Sequence, residues 1–411
     1  MSQQEIEQRI KKAYDALPYP GIGVTVDPQI NWSWVNMPWI RSLLPFALDG
    51  EFSFKRILIA GCGTGNEAFQ MRNLFPHAEI TAVDYSEASI LVARKYQNDH
   101  PKYKEIHFEV DDLTIGEGHW AKADYYDFIS CHGTMTYIPN TQKAFDSIAK
   151  CLAPEGFFYM GANGSKHISI PMRKSFEYLG YDSSGFSDSV EMRRLIELFD
   201  RLNPSQSHLS AYTAAYLDSD LLNTFSLNLT LAEWVEYAKN ANLHFVSSAE
   251  FIPNLAKTLS PNIFPLLFPQ SRQALCQLVA IHAETSFHKL IFSKQAPPEI
   301  PWDNLDALLD CEFQTTDLYL IQNPISDIYG ELILNATIAQ GLMVGLRWPM
   351  LDVSFRLFGQ RNGKGRLRDA VGDYLEPSIR DEYSLIIRLF MFYQLGIIKI
   401  FPNPPASTYT E

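Results

Sequence analysis

Short apolar runs alternate with amphipathic stretches from Arg56 onward. Arg56–Ala60 is almost wholly apolar, which predicts a buried strand, and Asn66–Phe75 beyond it has helical character. Ile80–Asp84 is a second apolar strand that ends in an acid. Ser86–Gln97 reads as a helix with Ser86 as N-cap and Glu87 in its first turn; Ser89 stands at N3, so no capping box forms. Lys104–Val110 predicts a third strand and Asp127–Cys131 a fourth. Asn140–Leu152 then predicts a helix, turned by Pro154-Glu-Gly156 into a fifth strand at Phe157–Gly161. Strand and helix in alternation imply a Rossmann-like, mainly parallel α/β sheet.

The alternation stalls after Gly161. It resumes at Thr230, where Thr230 and Glu233 form a capping-box pattern ahead of a helix, followed by β-like runs at Leu243–Ser248 and Phe287–Ser293. These two runs predict a closing antiparallel hairpin. Residues 162–228 and 251–286 are therefore insertions in a domain spanning 51–295. Arg173, Arg193, Arg194, Tyr212 and Tyr216 lie in the first insertion, most of them as surface or packing residues and one or two as candidates to touch substrate. Pro297, Pro298 and Pro301 mark a linker. Beyond it, 299–411 reads as a small, mostly helical accessory unit. Its end, Ser384–Leu395 followed by Gly396–Phe401, suggests a winged-helix-like element, and Gly363–Arg368 reads as a solvated basic loop. Residues 1–50 form a separate leading segment: an amphipathic helix over Gln4–Ala16, the turn Pro18-Tyr-Pro20-Gly21, and three tryptophans at 32, 34 and 39.

Length favours two domains, since 411 residues exceed the usual size of one. A net charge of −13, with no lysine- or arginine-rich run, excludes a phosphate-tracking surface and argues against a nucleic-acid substrate. The five cysteines form no C-x-x-C pair, and the histidines show no metal-ligand spacing, so neither zinc nor a disulfide framework is expected. Without a signal-peptide core or a long apolar run, the expectation is a cytoplasmic protein that does not enter the membrane.

Chemistry concentrates at Gly61-Cys-Gly63-Thr-Gly65. Glycines at alternate positions between a strand and a helix allow a sharp turn and close approach of a ligand. Asp84 ends the next strand, where it can accept hydrogen bonds from two ribose hydroxyls. A dinucleotide fingerprint would need glycine where Asn66 stands, and Glu67 at the helix start would repel a pyrophosphate but not a cationic amino-acid ligand.

These residues resemble motif I of the class I S-adenosylmethionine-dependent methyltransferases. The resemblance implies that S-adenosylmethionine is the cofactor, packed on Gly61, Gly63 and Gly65 and held at its ribose by Asp84. It also implies an acid after the third strand that receives the adenine amino group. Asp111 and Asp112 both qualify, with Asp112 and Leu113 the favoured pair. Many class I enzymes resemble this chain in a leading helix and proline turn, which would make Tyr14 part of a lid on the cofactor. The run His132-Gly133-Thr-Met-Thr-Tyr137-Ile-Pro139, and the order of domains, are similar to bacterial outer-membrane-protein lysine methyltransferases, in which a protein is the substrate. The [Asp/Asn]-Pro-Pro-[Tyr/Phe] signature of many base and amide methyltransferases is absent. His132 is the titratable group placed to act as base or orienter, with a packing role as the alternative. Three readings follow: methyl transfer to a protein side chain, methyl transfer to a small molecule in a capped pocket, or a catalytically silent cofactor-fold partner. A homo-oligomer is compatible with each.

Overall fold

The computed structural model describes residues 2–19, 54–181, 190–202, 216–248, 264–282, 285–315, 319–321, 325–326, 332–338, 343–347, 363–372 and 382–402. The tryptophans at 32, 34 and 39 and Tyr212 lie outside them. Two compact units divide the chain. The first comprises 1–35, 53–245 and 284–295; the second comprises 36–52, 246–283 and 296–411.

The first unit begins with helix α1 (Gln3–Ala16). Ser2 caps it in a reciprocal box with Glu5, a Ser-x-x-Glu pattern. The core alternates β1 (Arg56–Ala60), α2 (Asn66–Leu74), β2 (Glu79–Asp84), α3 (Glu87–Asp99), β3 (Ile106–Val110), β4 (Tyr126–His132), α4 (Thr141–Cys151) and β5 (Leu152–Asn163). The first insertion contributes α5 (Ser169–Tyr178), α6 (Val190–Leu202) and a π-helical turn at Leu217–Leu221. The core resumes with α7 (Leu231–Asn240), β6 (His244–Ser248) and β7 (Phe287–Ser293). The capping box of Thr230 and Glu233 is present, as is the plain Ser86 cap.

One seven-stranded sheet results, in the order β3-β2-β1-β4-β5-β7-β6. The first five strands are parallel, and β7 runs antiparallel to β5, from Phe157 opposite Ser293 to Asn163 opposite Phe287. Ile57, Leu58 and Ile59 in β1 are buried, as are Phe128 and Ile129 in β4. Burial on both faces explains why the central strands read as continuous apolar runs rather than as alternating ones. Strand order reverses between β1 and β4, so the carboxyl ends of β1, β2 and β4 share one crevice, the place where open α/β sheets bind ligands.

A chain cut after Gly161 is expected not to fold. It would leave β5 as an open edge and uncover the apolar face that α7 covers through Trp234, Val235 and Ala238. A cooperative melt of that monomeric fragment, with ligand binding intact, would refute this.

The second unit contains the second insertion, with α8 (Phe264–Leu267) and α9 (Arg272–His282). It continues with α10 (Leu305–Leu309), β8 (Glu312–Thr315), β9 (Tyr319–Ile321), β10 (Ile325–Ser326), β11 (Leu332–Ile338), β12 (Met343–Arg347), β13 (Lys364–Arg366), α11 (Leu367–Val371), α12 (Glu382–Gln394) and β14 (Ile398–Phe401). Arg272 Nη2 donates to the Tyr393 carbonyl at 2.6 Å, and Phe268 meets Phe390 edge-on at 5.3 Å. These contacts fasten the second insertion to α12. The mostly helical unit expected over 299–411 is replaced by a mixed one. β9 to β12 form one sheet and β13-β8-β14 another. The basic stretch at 363–368 is likewise not a loop: it forms β13 and starts α11, with Arg368 Nε 2.8 Å from Asp310.

Candidate active site

The glycine turn is fastened to the neighbouring strand by backbone bonds. Gly61 N and Cys62 N both donate to the Val83 carbonyl, at 2.8 and 3.0 Å, which ties the end of β1 to β2. Gly61, Gly63 and Gly65 have φ of 76°, 52° and 88°, a region costly for residues with a Cβ. A Cβ on Gly63 would lie 2.8 Å from the Tyr19 carbonyl, and one on Gly61 would run into the Thr134 side chain. Gly65 caps α2 from the left-handed region and packs below the turn, against Ala93, Phe69 and Phe108.

Asp84 is fixed by the same turn. Its Oδ2 accepts from Gly63 N at 2.7 Å and its Oδ1 from Ser86 N at 2.9 Å. Burial raises its carboxyl above the usual range, while those two backbone bonds pull the other way. A carboxylate has about four acceptor positions, so two remain for a ligand.

A cleft of about 1380 Å³, counted with its open mouth, joins this turn to the ends of β2, β3 and β4. Tyr14, Gly61, Gly63, Asp84, Asp112, Leu113 and His132 all line it. Asp111 does not; its Oδ2 accepts from Trp120 Nε1 and from Gly118 N, at 2.5 and 3.1 Å. Asp112 bends back onto Thr114, through the Thr114 N–H and hydroxyl at 2.8 Å each. Tyr14 reaches the cleft from α1, which is tied to β2's end by Ser86 Oγ donating to the Tyr14 carbonyl at 3.2 Å. Thr64 N donates to the Tyr19 carbonyl at 3.0 Å, so the leading segment and the glycine turn touch directly.

Glu67 departs from the sequence reading. Burial pushes its carboxyl up to about 8, so near pH 7 it is mainly protonated and supplies no anionic guard against a pyrophosphate. Its Oε1 and the Oδ1 of Asn66 are buried without hydrogen-bond partners, and both residues line the cleft. Unsatisfied buried acceptors are costly, and a ligand carrying an ammonium group would satisfy them. Together with the narrow glycine turn and the two open positions on Asp84, they fit S-adenosylmethionine.

His132 ends β4. Its Nδ1 lies 2.8 Å from the Tyr159 hydroxyl, and Phe287 packs beside it at 5.1 Å. Burial, with a smaller contribution from Lys289, pushes its pKa down to about 3. The imidazole is therefore neutral at physiological pH and a weak proton acceptor.

The cleft also contains Asp220, an acid of the first insertion that the sequence analysis does not select. Tyr137 donates to Asp220 Oδ1 at 2.9 Å, and Tyr19 places a second hydroxyl beside that carboxylate. Tyr216 lies near Tyr19, with ring centroids 6.5 Å apart. Arg173 is a structural clamp, donating to the carbonyls of Leu221 and Asn223 at 2.9 and 2.6 Å. Arg193 and Arg194 are exposed on α6. Among the described residues, no group of His, Cys, Asp or Glu could hold a metal ion, and no helix is long and apolar enough to cross a membrane. The five cysteines are buried, and none forms a disulfide.

Residues 52–189 match the model of a methyltransferase domain family. An uncharacterised protein of Synechococcus sp. is 29% identical over 157 residues, covering 38% of this chain and 36% of its own. The malonyl-[acyl-carrier protein] O-methyltransferase of Bacillus anthracis is 31% identical over 175 residues, 40% of this chain and 62% of its own. The chain thus spans less than two thirds of either relative. Among solved structures, PKMT2 of Rickettsia typhi in complex with AdoHcy shares the fold, with a TM-score of 0.54 at 16% identity over 92% of this chain and 78% of that one. With the sheet order, the glycine turn and the acid at the end of β2, the match over residues 52–189 identifies this part of the chain as a methyltransferase domain of the class I fold, whose cofactor is S-adenosylmethionine.

Proposed function

We propose that the protein transfers a methyl group from S-adenosylmethionine to a heteroatom on a polypeptide side chain. The observation that carries this reading is the charge of the cleft. Glu7, Asp84, Asp112 and Asp220 line it together with several tyrosines, and among the described residues no lysine or arginine does. An anionic acceptor would find no counter-charge there, whereas a basic protein surface is drawn to a chain of net charge −13. The bound cofactor supplies a methyl group on a sulfonium. The protein's part is to hold the acceptor in line with it and keep water out. Gly61, Gly63 and Asp84 hold the cofactor end, Asp112 and Leu113 the adenine end, and Tyr14 covers the site. His132, neutral and bonded to Tyr159, orients rather than accepts a proton.

The matched malonyl-[acyl-carrier protein] O-methyltransferase keeps a second reading in view, a small acidic acceptor in a capped pocket. The lack of a cation among the described cleft residues counts against it. Cofactor radiolabelled in the methyl group, offered to a protein pool and a metabolite pool from the native host, tests the choice. Label is expected in protein; label confined to metabolites overturns the polypeptide reading.

A further inference from the structure

We infer that Asp220, framed by Tyr19 and Tyr137, is the subsite that receives the acceptor group, and that it selects a primary amine in its cationic form. This rests on the methyl-transfer reading above and names the acceptor that this reading leaves open.

Asp220 comes from the first insertion, on the π-helical turn at Leu217–Leu221. Packing sets its position. Leu217, Leu221 and Leu222 are buried against Met172, Phe176 and Phe199, and the Arg173 clamp holds the carbonyls that follow the turn. A side chain supported in this way can serve a binding site without reorganising. The Tyr137 hydroxyl that donates to Asp220 accepts in turn from Asn163 Nδ2 at 3.3 Å. Tyr137 is thereby fixed between the end of β5 and the insertion.

The carboxylate lacks a cation. Two tyrosine hydroxyls approach it, yet it forms no ion pair among the described residues and it lines the cleft. Burial pushes its pKa up to about 6, the signature of a carboxylate desolvated without a positive partner. Lone-pair capacity remains for more donors, and neighbouring tyrosine faces attract cations. A primary ammonium satisfies all three conditions. A carboxylate acceptor would be repelled, and a thiol or hydroxyl would leave the charge unmet.

The chemistry balances. The ammonium gives one proton to the Asp220 carboxylate, and the freed nitrogen lone pair forms the N–C bond. The C–S bond breaks with its electron pair staying on sulfur, and the positive charge moves from sulfur to the new methylammonium, while Asp220 returns the proton it accepted to solvent.

The alternative occupant of this subsite is the cofactor's own ammonium group, so the test separates the two. Protein loaded with S-adenosylhomocysteine is titrated with Nα-acetyl-lysine methylamide and with its neutral Nε-acetylated counterpart, followed by NMR. Wild type is expected to bind the first at least tenfold more tightly than the second. Asp220→Asn, which preserves shape, should abolish that preference, while calorimetry shows S-adenosylhomocysteine affinity unchanged within twofold. Tyr137→Phe should weaken lysine-probe binding severalfold and also spare the cofactor product. A tenfold loss of S-adenosylhomocysteine affinity in Asp220→Asn would assign the carboxylate to the cofactor and overturn the proposal. Equal binding of the two probes by wild type would overturn it as well, whatever the variants do. Label that alkali releases from protein as methanol would show an ester product and sink the amine acceptor while leaving methyl transfer intact. Failure of wild type to bind S-adenosylmethionine would instead strike the reading on which the inference rests.

Discussion

Gly61→Ala is expected to abolish cofactor binding and to destabilise the fold by about 2–5 kcal/mol. Two penalties combine. The backbone at φ 76° sits where a Cβ costs roughly 1–2 kcal/mol, and overpacking of a filled site costs about 1–3 kcal/mol more. The new methyl group would be driven into Thr134, whose hydroxyl lies 3.3 Å from the Gly61 carbonyl. Thermal melting and calorimetry with S-adenosylmethionine read both effects. Adding Thr134→Gly should recover part of the melting loss, by removing the clash, but none of the backbone penalty. A Gly61→Ala protein that melts and binds like wild type would mean that the turn is not a ligand contact.

Asp84→Ala is expected to weaken both S-adenosylmethionine and S-adenosylhomocysteine by roughly 10- to 100-fold, as loss of hydrogen bonds to a charged group costs about 1.5–3 kcal/mol. The structure adds a second cause. The same carboxylate holds Gly63 N and Ser86 N, so its removal loosens the turn before any ligand arrives. Asp84→Asn separates the two contributions, since its amide keeps one acceptor oxygen but directs an N–H at a donor. Cofactor affinity should then fall nearly as far as in the alanine variant. If calorimetry finds both ligands bound undiminished, Asp84 is only an internal fastener of the turn.

The parts of this fold that were legible in the sequence are those encoded locally. The strand at Arg56–Ala60, the glycines after it and the acid at 84 lie within one βαβ unit, where spacing alone fixes proximity. The Thr230–Glu233 box is a four-residue signal. By contrast, Asp220 sits in Leu217-Asp-Ser-Asp-Leu221, an unremarkable acidic stretch, and becomes a cleft residue only because a packed insertion brings it to Tyr137, 83 positions away. The protonation of Glu67 is not legible in the sequence for a related reason: ionisation depends on burial, which neighbouring residues in sequence do not report. The strands within 299–411 were obscured because apolar runs of that length fit helix or strand equally well until their partners are known.

The first insertion leaves and re-enters the sheet at almost the same point. Gly164 bridges Leu229, and the Asn163 carbonyl accepts from both Leu229 N and Trp234 Nε1, at 3.4 and 3.1 Å. For a segment whose ends are pinned together, the entropy of closure grows only with the logarithm of its length. Residues 165–228 can therefore lengthen, shorten or be exchanged at small thermodynamic penalty, while the glycine turn and Asp84 stay untouched on the other strands. In evolutionary terms the segment is a replaceable cartridge. A lineage that keeps one methyl donor could change what it methylates by rewriting this stretch, with no renegotiation of the sheet.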